Sequence, residues 1–315
     1  MKTSAIVCAL FLSSLAVIRS AGGTVGPFEA RRVVFLGDSI THAGMYINFI
    51  EARLRAESGN KIPEIINMGL PSETCSGLSE PDHPFPRPDV HERLDRVLAK
   101  LKPDLVFACY GMNDGIYYPF SEERFAAYQK GMGRLIRKVK ASGAKLVLIT
   151  SPPFDPVPLR RKGKLLPAGA EKYAWFNIYE GYDSVLDRYA MWLKTQKSKV
   201  DGFIDVRAPI LQEQAKIRKK DPDFTMSGDG VHIDRKGHGI FADSVLKALE
   251  LGDTKGLDPA LLKLVADKHK VMHLAWLDLA GHKRPGPNSK IPFAEAQKRA
   301  VEIETKISEY FAARD

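Results

Sequence analysis

Val33 to Thr41 reads VVFLGDSIT, and this stretch decides the predicted fold. Its first four residues, Val33 to Leu36, are apolar without alternation, which is typical of a strand buried on both faces in a parallel sheet. Gly37 then ends the strand, and Asp38 and Ser39 precede a helical pattern. In open α/β sheets ligands bind where a strand ends and a helix begins, because free backbone N–H groups and the helix dipole favour negative charge there. Ser39 therefore stands at a position suited to a nucleophile, since acyl transfer builds an oxyanion beside it.

The rest of the chain alternates predicted strands with predicted helices. The strands are expected at 33–36, 62–68, 104–110, 145–150 and 202–206. The helices are expected at 44–54, 90–101, 121–141, 182–196, 209–217 and 235–251, with an irregular segment at 154–180. Such alternation predicts a parallel sheet with helices on both faces. We expect this sheet domain at 30–252 and a helical extension at 253–315.

The composition indicates a folded chain with a large core. Apolar residues make up 44% and charged residues 27% of the sequence, which argues against global disorder. The formal net charge is +9, but the basic residues are spread along the chain and form no basic-aromatic array. We therefore expect no nucleic-acid partner. A solvated basic surface is the simpler interpretation of this charge, and a mild preference for anionic substrates or polymers is the alternative.

The N-terminal residues, 1–22, have the pattern of a secretory signal peptide. A basic residue precedes the apolar run 5–18, and small residues follow it. The run is short for a membrane span, and no later segment is long and apolar enough to be one. We therefore expect an exported protein, periplasmic or extracellular, without stable membrane insertion.

Cysteine usage leaves two structures open and points to no metal site. Without Cys8 in the apolar run, Cys75 and Cys109 remain, and they allow either one disulfide or two buried thiols. Spacings typical of zinc sites, such as HExxH or paired CxxC, are missing. We expect no metal and no cofactor.

A second motif supplies a candidate base. Asp229-Gly230-Val231-His232 places an aspartate three residues before a histidine in a glycine-containing loop. The carboxylate can fold back and accept a hydrogen bond from Nδ1–H, which leaves Nε2 available as a base. The motif follows the fifth predicted strand, so we expect it at the edge of the sheet where the strands end. Other polar segments that follow strands are Gly37–Ser39, Asn67–Gly69, Gly111–Asp114 and 151–153.

Together these blocks resemble the SGNH hydrolase superfamily, the GDSL-type esterases and lipases. The marker residues of that family are a serine, a glycine, an asparagine and a histidine. They match Ser39 in Gly37-Asp38-Ser39-Ile40, Gly69 after Asn67, Asn113 in Gly111-Met112-Asn113-Asp114, and His232 in the DxxH motif. The resemblance covers about residues 30–250. With it we expect a flavodoxin-like three-layer α/β/α fold with five parallel strands, plus the C-terminal helical extension.

The resemblance implies a serine hydrolase that works through an acyl-enzyme. Ser39 would be the nucleophile, His232 the general base and later the general acid, and Asp229 the residue that orients His232. The backbone N–H groups of Ser39 and Gly69 and the side-chain amide of Asn113 would form the oxyanion hole. On the residues alone, Ser39 as a helix N-cap, His232 as a packed histidine and Asn113 as a turn residue stay open.

Other polar residues near these motifs have mainly structural interpretations. Asp38 is expected to hold its turn, Asp114 to brace its loop, and His238 to be structural or on the surface. His42, close to Ser39 in sequence, either lines the pocket or lies on the surface. In the C-terminal extension, Trp276, His282 and Arg284 lie around one loop, which we expect to cap the core; an oligomer contact and a pocket wall are the alternatives.

The substrate is the least determined property. The family hydrolyses esters of many kinds, and the fold does not decide among them. Two groups of aromatic residues are expected near the mouth of the sheet, where they either stack on sugar rings or pack against each other. They are Tyr117, Tyr118 and Phe120 after the third strand, and Tyr173, Trp175 and Phe176 after the fourth.

We predict an exported acetyl esterase that acts on carbohydrate, with a small-molecule or polysaccharide ester as substrate and the oligomeric state left open. The alternatives are a lipase or a short-chain alkyl or aryl esterase. A non-catalytic carbohydrate-binding protein ranks behind them, because all four marker residues are present. A nucleotide-binding module ranks last, since Gly37-Asp38-Ser39 lacks the GxGxxG pattern.

Overall fold

The computed structural model describes residues 29–314. Its sheet strands are β1 (Arg32–Gly37), β2 (Glu64–Gly69), β3 (Leu105–Cys109), β4 (Lys145–Ile149) and β7 (Gly202–Ile204). Two short strands, β5 (Leu165–Leu166) and β6 (Ile178–Tyr179), pair separately. The five sheet strands are parallel and ordered β2-β1-β3-β4-β7. With helices on both faces, this confirms the predicted flavodoxin-like three-layer α/β/α fold.

The helices are α1 (Ser39–Ala43), α2 (Met45–Ser58), α3 (Val90–Leu101), α4 (Glu122–Ala141), α5 (Val157–Arg160), α6 (Tyr182–Thr195), α7 (Arg207–Arg218), α8 (Arg235–Ala248), α9 (Pro259–Ala280) and α10 (Phe293–Ala312). Two regions contain elements that the prediction did not include. The helix expected at 44–54 is preceded by the separate short helix α1, because Gly44 adopts φ 73° between them. The segment 154–180, expected to be irregular, contains α5 and the β5–β6 pair.

The position of β1 explains why its C-terminal end carries the polar residues. β1 lies between β2 and β3, and every residue from Val33 to Leu36 is buried, as the unbroken apolar run predicts. The parallel register sets Gly37 beside Gly69 of β2 and Cys109 of β3. The loops that follow these strands therefore start at the same edge of the sheet.

The C-terminal helices pack on the sheet domain through apolar and charged contacts. Trp276 and Leu277 of α9 belong to the main hydrophobic core. A smaller cluster joins Ala52 of α2 to Val265 of α9 and Ile307 of α10. Burial of these side chains stabilises the docking by roughly 1.5–3 kcal/mol for each fully buried large aliphatic residue.

The remaining expectations concern the N-terminus and the cysteines. The predicted signal peptide, 1–22, and Cys8 lie outside the described residues. Within residues 29–314, no helix combines the length and the apolar character needed to span a membrane. Cys75 and Cys109 are both buried free thiols, so the disulfide that the sequence allowed is not formed.

Candidate active site

The turn after β1 is fixed by close packing and by a buried carboxylate. A side chain at Gly37 would place its Cβ 2.1 Å from the Thr41 hydroxyl oxygen, so glycine is required there. Asp38 is buried and caps α1, because its carboxylate accepts a hydrogen bond from the Ile40 N–H at 3.0 Å. Burial raises the pKa of Asp38 to about 7. The prediction that Asp38 holds the turn agrees with this geometry, and it presents Ser39 as the first residue of α1.

The DxxH motif folds back on itself inside a closed loop. An antiparallel bridge between Ser227 and Ile233 closes the loop. The Oδ1 atom of Asp229 accepts hydrogen bonds from the backbone N–H groups of Val231 at 2.9 Å and His232 at 2.8 Å. The three-residue spacing therefore positions one carboxylate oxygen on the backbone and leaves the other for the histidine ring.

A continuous series of hydrogen bonds joins the serine, the histidine and the aspartate. His232 Nδ1 lies 2.7 Å from Asp229 Oδ2, and His232 Nε2 lies 2.8 Å from Ser39 Oγ. An ionised carboxylate can only accept, so Nδ1 carries a proton. In the neutral ring Nε2 is then the acceptor for the Ser39 hydroxyl. This is the arrangement that a serine nucleophile needs for activation by an adjacent base.

The negative charge of Asp229 and a positive charge on His232 stabilise each other. The hydrogen bond to Asp229 raises the pKa of His232 above its ordinary value, although burial acts in the opposite direction. Burial alone would raise the pKa of Asp229, but its hydrogen bonds to the His232 ring and backbone outweigh burial and hold that pKa well below its usual range. Asp229 therefore stays ionised wherever His232 titrates, and its negative charge favours the protonated form of the ring.

Asn113 is buried with its amide orientation fixed by two partners. The Tyr117 hydroxyl donates to Asn113 Oδ1 at 2.8 Å, and Asn113 Nδ2 donates to the Glu73 carbonyl at 3.1 Å. Because the amide nitrogen carries two hydrogens, one N–H remains for a ligand in the cavity that Asn113 lines. The sequence did not single out Tyr117 for this role, since the contact depends on the loop conformation after β3.

Gly69 does not occupy the position that the resemblance implied. Its N–H donates to Asn67 Oδ1 at 2.8 Å, so the donor is already used. A Cβ at Gly69 would lie 2.2 Å from the His42 backbone nitrogen, which shows that glycine is needed there for close packing of β2 against α1. Gly69 is also not among the residues lining the cavity at Ser39. The geometry thus contradicts the expectation that Gly69 supplies an oxyanion donor.

Ser72 offers the backbone N–H that Gly69 does not. The Glu73 N–H donates to the Leu70 carbonyl at 3.2 Å, with Pro71 and Ser72 as the two central residues of the turn. Ser72 has φ 67°, the value that a type II turn requires at its third position and that usually selects glycine. Its N–H has no acceptor among residues 29–314, and Ser72 lines the same cavity as Ser39. Strain of this kind is concentrated at functional sites.

The model of the GDSL-like lipase/acylhydrolase family matches residues 35–240, which is more than half of the 315-residue chain. The chain belongs to this family. It is therefore a carboxylic ester hydrolase, as the motifs predicted. No curated protein sequence matches the hydrolase at a significant level.

Solved structures share the fold of this hydrolase. BT4096, described as a gut microbial diltiazem-metabolizing enzyme, has a TM-score of 0.58 and 24% identity over 73% of this chain. The match covers 49% of BT4096, so the hydrolase spans about half the length of that relative. A catalytic mutant of Axe2, an acetylxylan esterase from Geobacillus stearothermophilus, has a TM-score of 0.51 and 20% identity, over 70% of this chain and 94% of that chain.

The GDSL-like hydrolase has a cavity of about 440 Å³ at Ser39. Trp175 and Phe176 line it with 50% and 42% of their surface exposed, and Tyr117 lines it from a buried position. Tyr118, Phe120 and Tyr173, which were also expected near the mouth, are not among its lining residues. The cavity therefore offers two exposed aromatic side chains to a substrate.

The loop between α9 and α10 reaches this cavity. From the sequence, capping of the core was the first expectation for this loop, and a pocket wall was an alternative. Trp276 is buried against Phe293, with ring centroids 4.6 Å apart, so the expected capping role describes that residue. Arg284 instead lines the cavity, and its Nε donates to the Pro71 carbonyl at 2.7 Å. The C-terminal extension thus contributes a wall of the site.

The secondary polar residues have structural roles. The Asp114 carboxylate accepts from the backbone N–H groups of Cys75 and Ser76, each at 2.7 Å, which braces its loop as predicted. His238 is buried, and its ring centroid lies 6.0 Å from that of Tyr46. Burial lowers the pKa of His238 to about 4. His42 does not line the cavity, because its Nδ1 lies 2.7 Å from His273 Nε2 of α9.

Proposed function

We propose that Ser39, His232 and Asp229 are the catalytic triad of this ester hydrolase and that its substrates are acetylated carbohydrates. The observation that carries the catalytic part is the pair of hydrogen bonds, 2.8 Å and 2.7 Å long, that connects Ser39 Oγ through His232 to Asp229. In this proposal the enzyme works without a metal or an organic cofactor.

The proposed reaction has two halves. His232 Nε2 takes the hydroxyl proton while Ser39 Oγ attacks the ester carbonyl, and the same proton then passes to the departing alcohol. The acyl group remains on Ser39. Water attacks this acyl-enzyme with His232 again as base, so that the carboxylic acid leaves and the serine hydroxyl is restored. Asp229 keeps the ring in the required tautomer throughout.

The oxyanion of each tetrahedral intermediate needs donors on the same side of the cavity. We propose the backbone N–H groups of Ser39 and Ser72 and the amide of Asn113, with Ser72 in place of Gly69. Ser39 is the first residue of α1, so its N–H has no acceptor within the helix. One donor of this kind typically stabilises the transition state by about 2.7–4 kcal/mol.

Two observations support a carbohydrate as the alcohol part of the substrate. Trp175 and Phe176 are exposed at the cavity, where flat aromatic faces suit sugar rings. The structural neighbour Axe2 is described as an acetylxylan esterase. Export belongs to the same proposal, on the strength of the N-terminal sequence pattern; N-terminal sequencing of the protein recovered outside the cytoplasm would then start near Gly22 or Gly23.

The decisive experiment compares p-nitrophenyl acetate hydrolysis by the wild-type protein and by Ser39→Ala. We expect kcat to fall by at least about 10³-fold, because the nucleophile is lost. Ser244→Ala is the matched control, since the Ser244 hydroxyl only donates to the Ile240 carbonyl within α8. Equal rates for wild type and Ser39→Ala would reject the triad. Acetate release from acetylated xylo-oligosaccharides, set against p-nitrophenyl esters of increasing chain length, separates the carbohydrate esterase from the lipase alternative.

A further inference from the structure

The cavity at Ser39 carries uncompensated positive charge. Its basic lining residues include Lys162, Lys164 and Arg284, and none of them forms an ion pair within the described part of the chain. Arg87 also lines the cavity, but a buried pair of hydrogen bonds to the Glu80 carboxylate neutralises it. The one carboxylate among the lining residues, Asp229, is held by His232.

Two of the three basic residues are held by backbone carbonyls of different loops at the cavity. Lys162 Nζ donates to the Gly228 carbonyl at 2.9 Å, directly before Asp229 in sequence. Arg284 Nε donates to the Pro71 carbonyl at 2.7 Å, directly before Ser72. These carbonyls position the cations but do not neutralise them. An ammonium has three N–H donors and a guanidinium five, so both side chains keep donors for a ligand.

The surroundings of these cations favour a ligand that combines a ring with an anion. The guanidinium of Arg284 lies 5.0 Å from the centre of the Phe85 ring, which supports it from one side. Trp175 and Phe176 are exposed in the same cavity. A planar guanidinium fits the paired oxygens of a carboxylate or a sulfate, and lysine ammonium groups add attraction without a fixed geometry.

We propose that the substrate of this hydrolase is an acylated glycan bearing an anionic group, a carboxylate or a sulfate, near the ester, and that Lys162, Lys164 and Arg284 bind that group. This inference rests on the triad and the carbohydrate substrate proposed above, and it adds the charge of that substrate. The net charge of +9 acts in the same direction, since it raises the local concentration of polyanions around the protein.

The test measures inhibition of p-nitrophenyl acetate hydrolysis by three unacylated oligosaccharides of equal length: trigalacturonate, sulfated xylotriose and neutral xylotriose. At low salt, at least one anionic trisaccharide should inhibit at a concentration about tenfold lower than xylotriose, the size of one charge-assisted hydrogen bond. Added sodium chloride should reduce the difference by screening. The better of the two anions identifies carboxylate or sulfate. Equal inhibition by all three compounds would overturn the proposal.

Variants assign the effect to the cavity. In Arg284→Gln and Lys164→Gln, the ratio of anionic to neutral inhibition should fall severalfold, whereas Arg284→Lys should retain part of it, because the charge remains but the paired donors of the guanidinium are lost. Lys130→Gln is the control, since Lys130 is an exposed residue of α4 that does not line the cavity. An unchanged ratio in both Gln variants, or an equal fall in the control, would contradict the assignment.

A binding measurement separates this inference from the hydrolase proposal. Calorimetric titration of trigalacturonate, sulfated xylotriose and xylotriose into Ser39→Ala requires no turnover. If wild type and Ser39→Ala hydrolyse p-nitrophenyl acetate equally, the triad is rejected, yet the titration still decides the anion preference. If the triad holds and Ser39→Ala binds the three trisaccharides alike, the anion site alone is rejected.

Discussion

At the scale of single residues, the ionisation of His232 sets a pH limit on the proposed chemistry. Its hydrogen bond to Asp229 raises the pKa of His232 above the ordinary value of 6.5. His232 must be neutral to accept the Ser39 proton, so kcat/KM for p-nitrophenyl acetate should fall as the pH drops through that raised pKa. Asp229→Asn removes the charge that raises the pKa, so the acid limb should move to lower pH and kcat should fall on the order of 10⁴-fold. Rate profiles of both proteins check this; an acid limb at the same pH in both would contradict the coupling.

Ser72 is the second residue whose role can be tested by itself. Its φ of 67° is costly for any residue with a Cβ, and glycine adopts it freely. Ser72→Gly should therefore raise the free energy of unfolding by up to about 1 kcal/mol, and it should keep kcat/KM within severalfold because the proposed donor is the backbone N–H. Ser72→Ala keeps the strained backbone and is the control for stability. Urea unfolding and p-nitrophenyl acetate assays measure both effects, and loss of activity in Ser72→Gly would show that the hydroxyl itself takes part.

At the scale of elements, the contact between the end of β2 and α1 explains the glycine that the resemblance selected. A Cβ at Gly69 would lie 2.2 Å from the His42 backbone nitrogen. A backbone atom cannot move away by a rotamer change, as a side-chain atom can. Gly69→Ala should lower the free energy of unfolding by about 1–3 kcal/mol through overpacking. Gly239→Ala in α8 is the control, because no atom lies within 4 Å of its added Cβ and alanine favours helix. Thermal unfolding of the two variants should diverge; equal midpoints would refute the packing role.

The sequence predicted those parts of the site that depend on local signals. The buried strand could be predicted from the unbroken apolar run before Gly37, and the contact between Asp229 and His232 from the DxxH spacing. Both features are determined within a few residues of sequence. Ser72 could not be predicted in this way, since nothing in Pro71-Ser72 demands a positive φ until the turn is built. A cavity position for Arg284 was only an alternative to core capping, because the loop that carries it follows the sheet domain and its approach to Pro71 depends on how α9 docks.

At the scale of the whole molecule, one buried carboxylate joins the C-terminal helices to the sheet domain. Glu51 of α2 is completely buried and accepts hydrogen bonds from His269 of α9 at 2.7 Å and from Arg55 at 2.9 Å, as well as from Lys268. Arg55 Nη2 also donates a hydrogen bond to Glu304 Oε1 of α10 at 2.6 Å. A second cavity, of about 370 Å³, adjoins this cluster and includes none of the proposed triad residues in its lining. The cluster therefore belongs to the docking of the extension.

The ionisation of Glu51 makes that docking sensitive to acid. Burial alone would raise the pKa of Glu51, but Lys268, His269 and Arg55 outweigh it and hold the pKa well below the ordinary 4.5. A carboxyl whose pKa is lower in the folded than in the unfolded state stabilises the fold above pH 4.5, and this contribution is lost progressively as the pH falls below that value. Stability should therefore decline below pH 4.5 partly through this one residue.

Glu51→Gln tests this linkage, because it keeps the shape and removes the charge. The free energy of unfolding at neutral pH should fall by about 3–5 kcal/mol, since buried Arg55 and partly buried Lys268 lose a partner, and its decline in acid should become shallower. Glu57→Gln is the control on the same helix, because its ion pair with Arg53 is partly exposed and contributes about 0.2–1 kcal/mol. Urea unfolding across the acid range compares the two variants. If Glu51→Gln were as stable as Glu57→Gln, the apolar cluster of Ala52, Val265 and Ile307 would have to hold the helices without help from the charges, and the acid sensitivity would need another source.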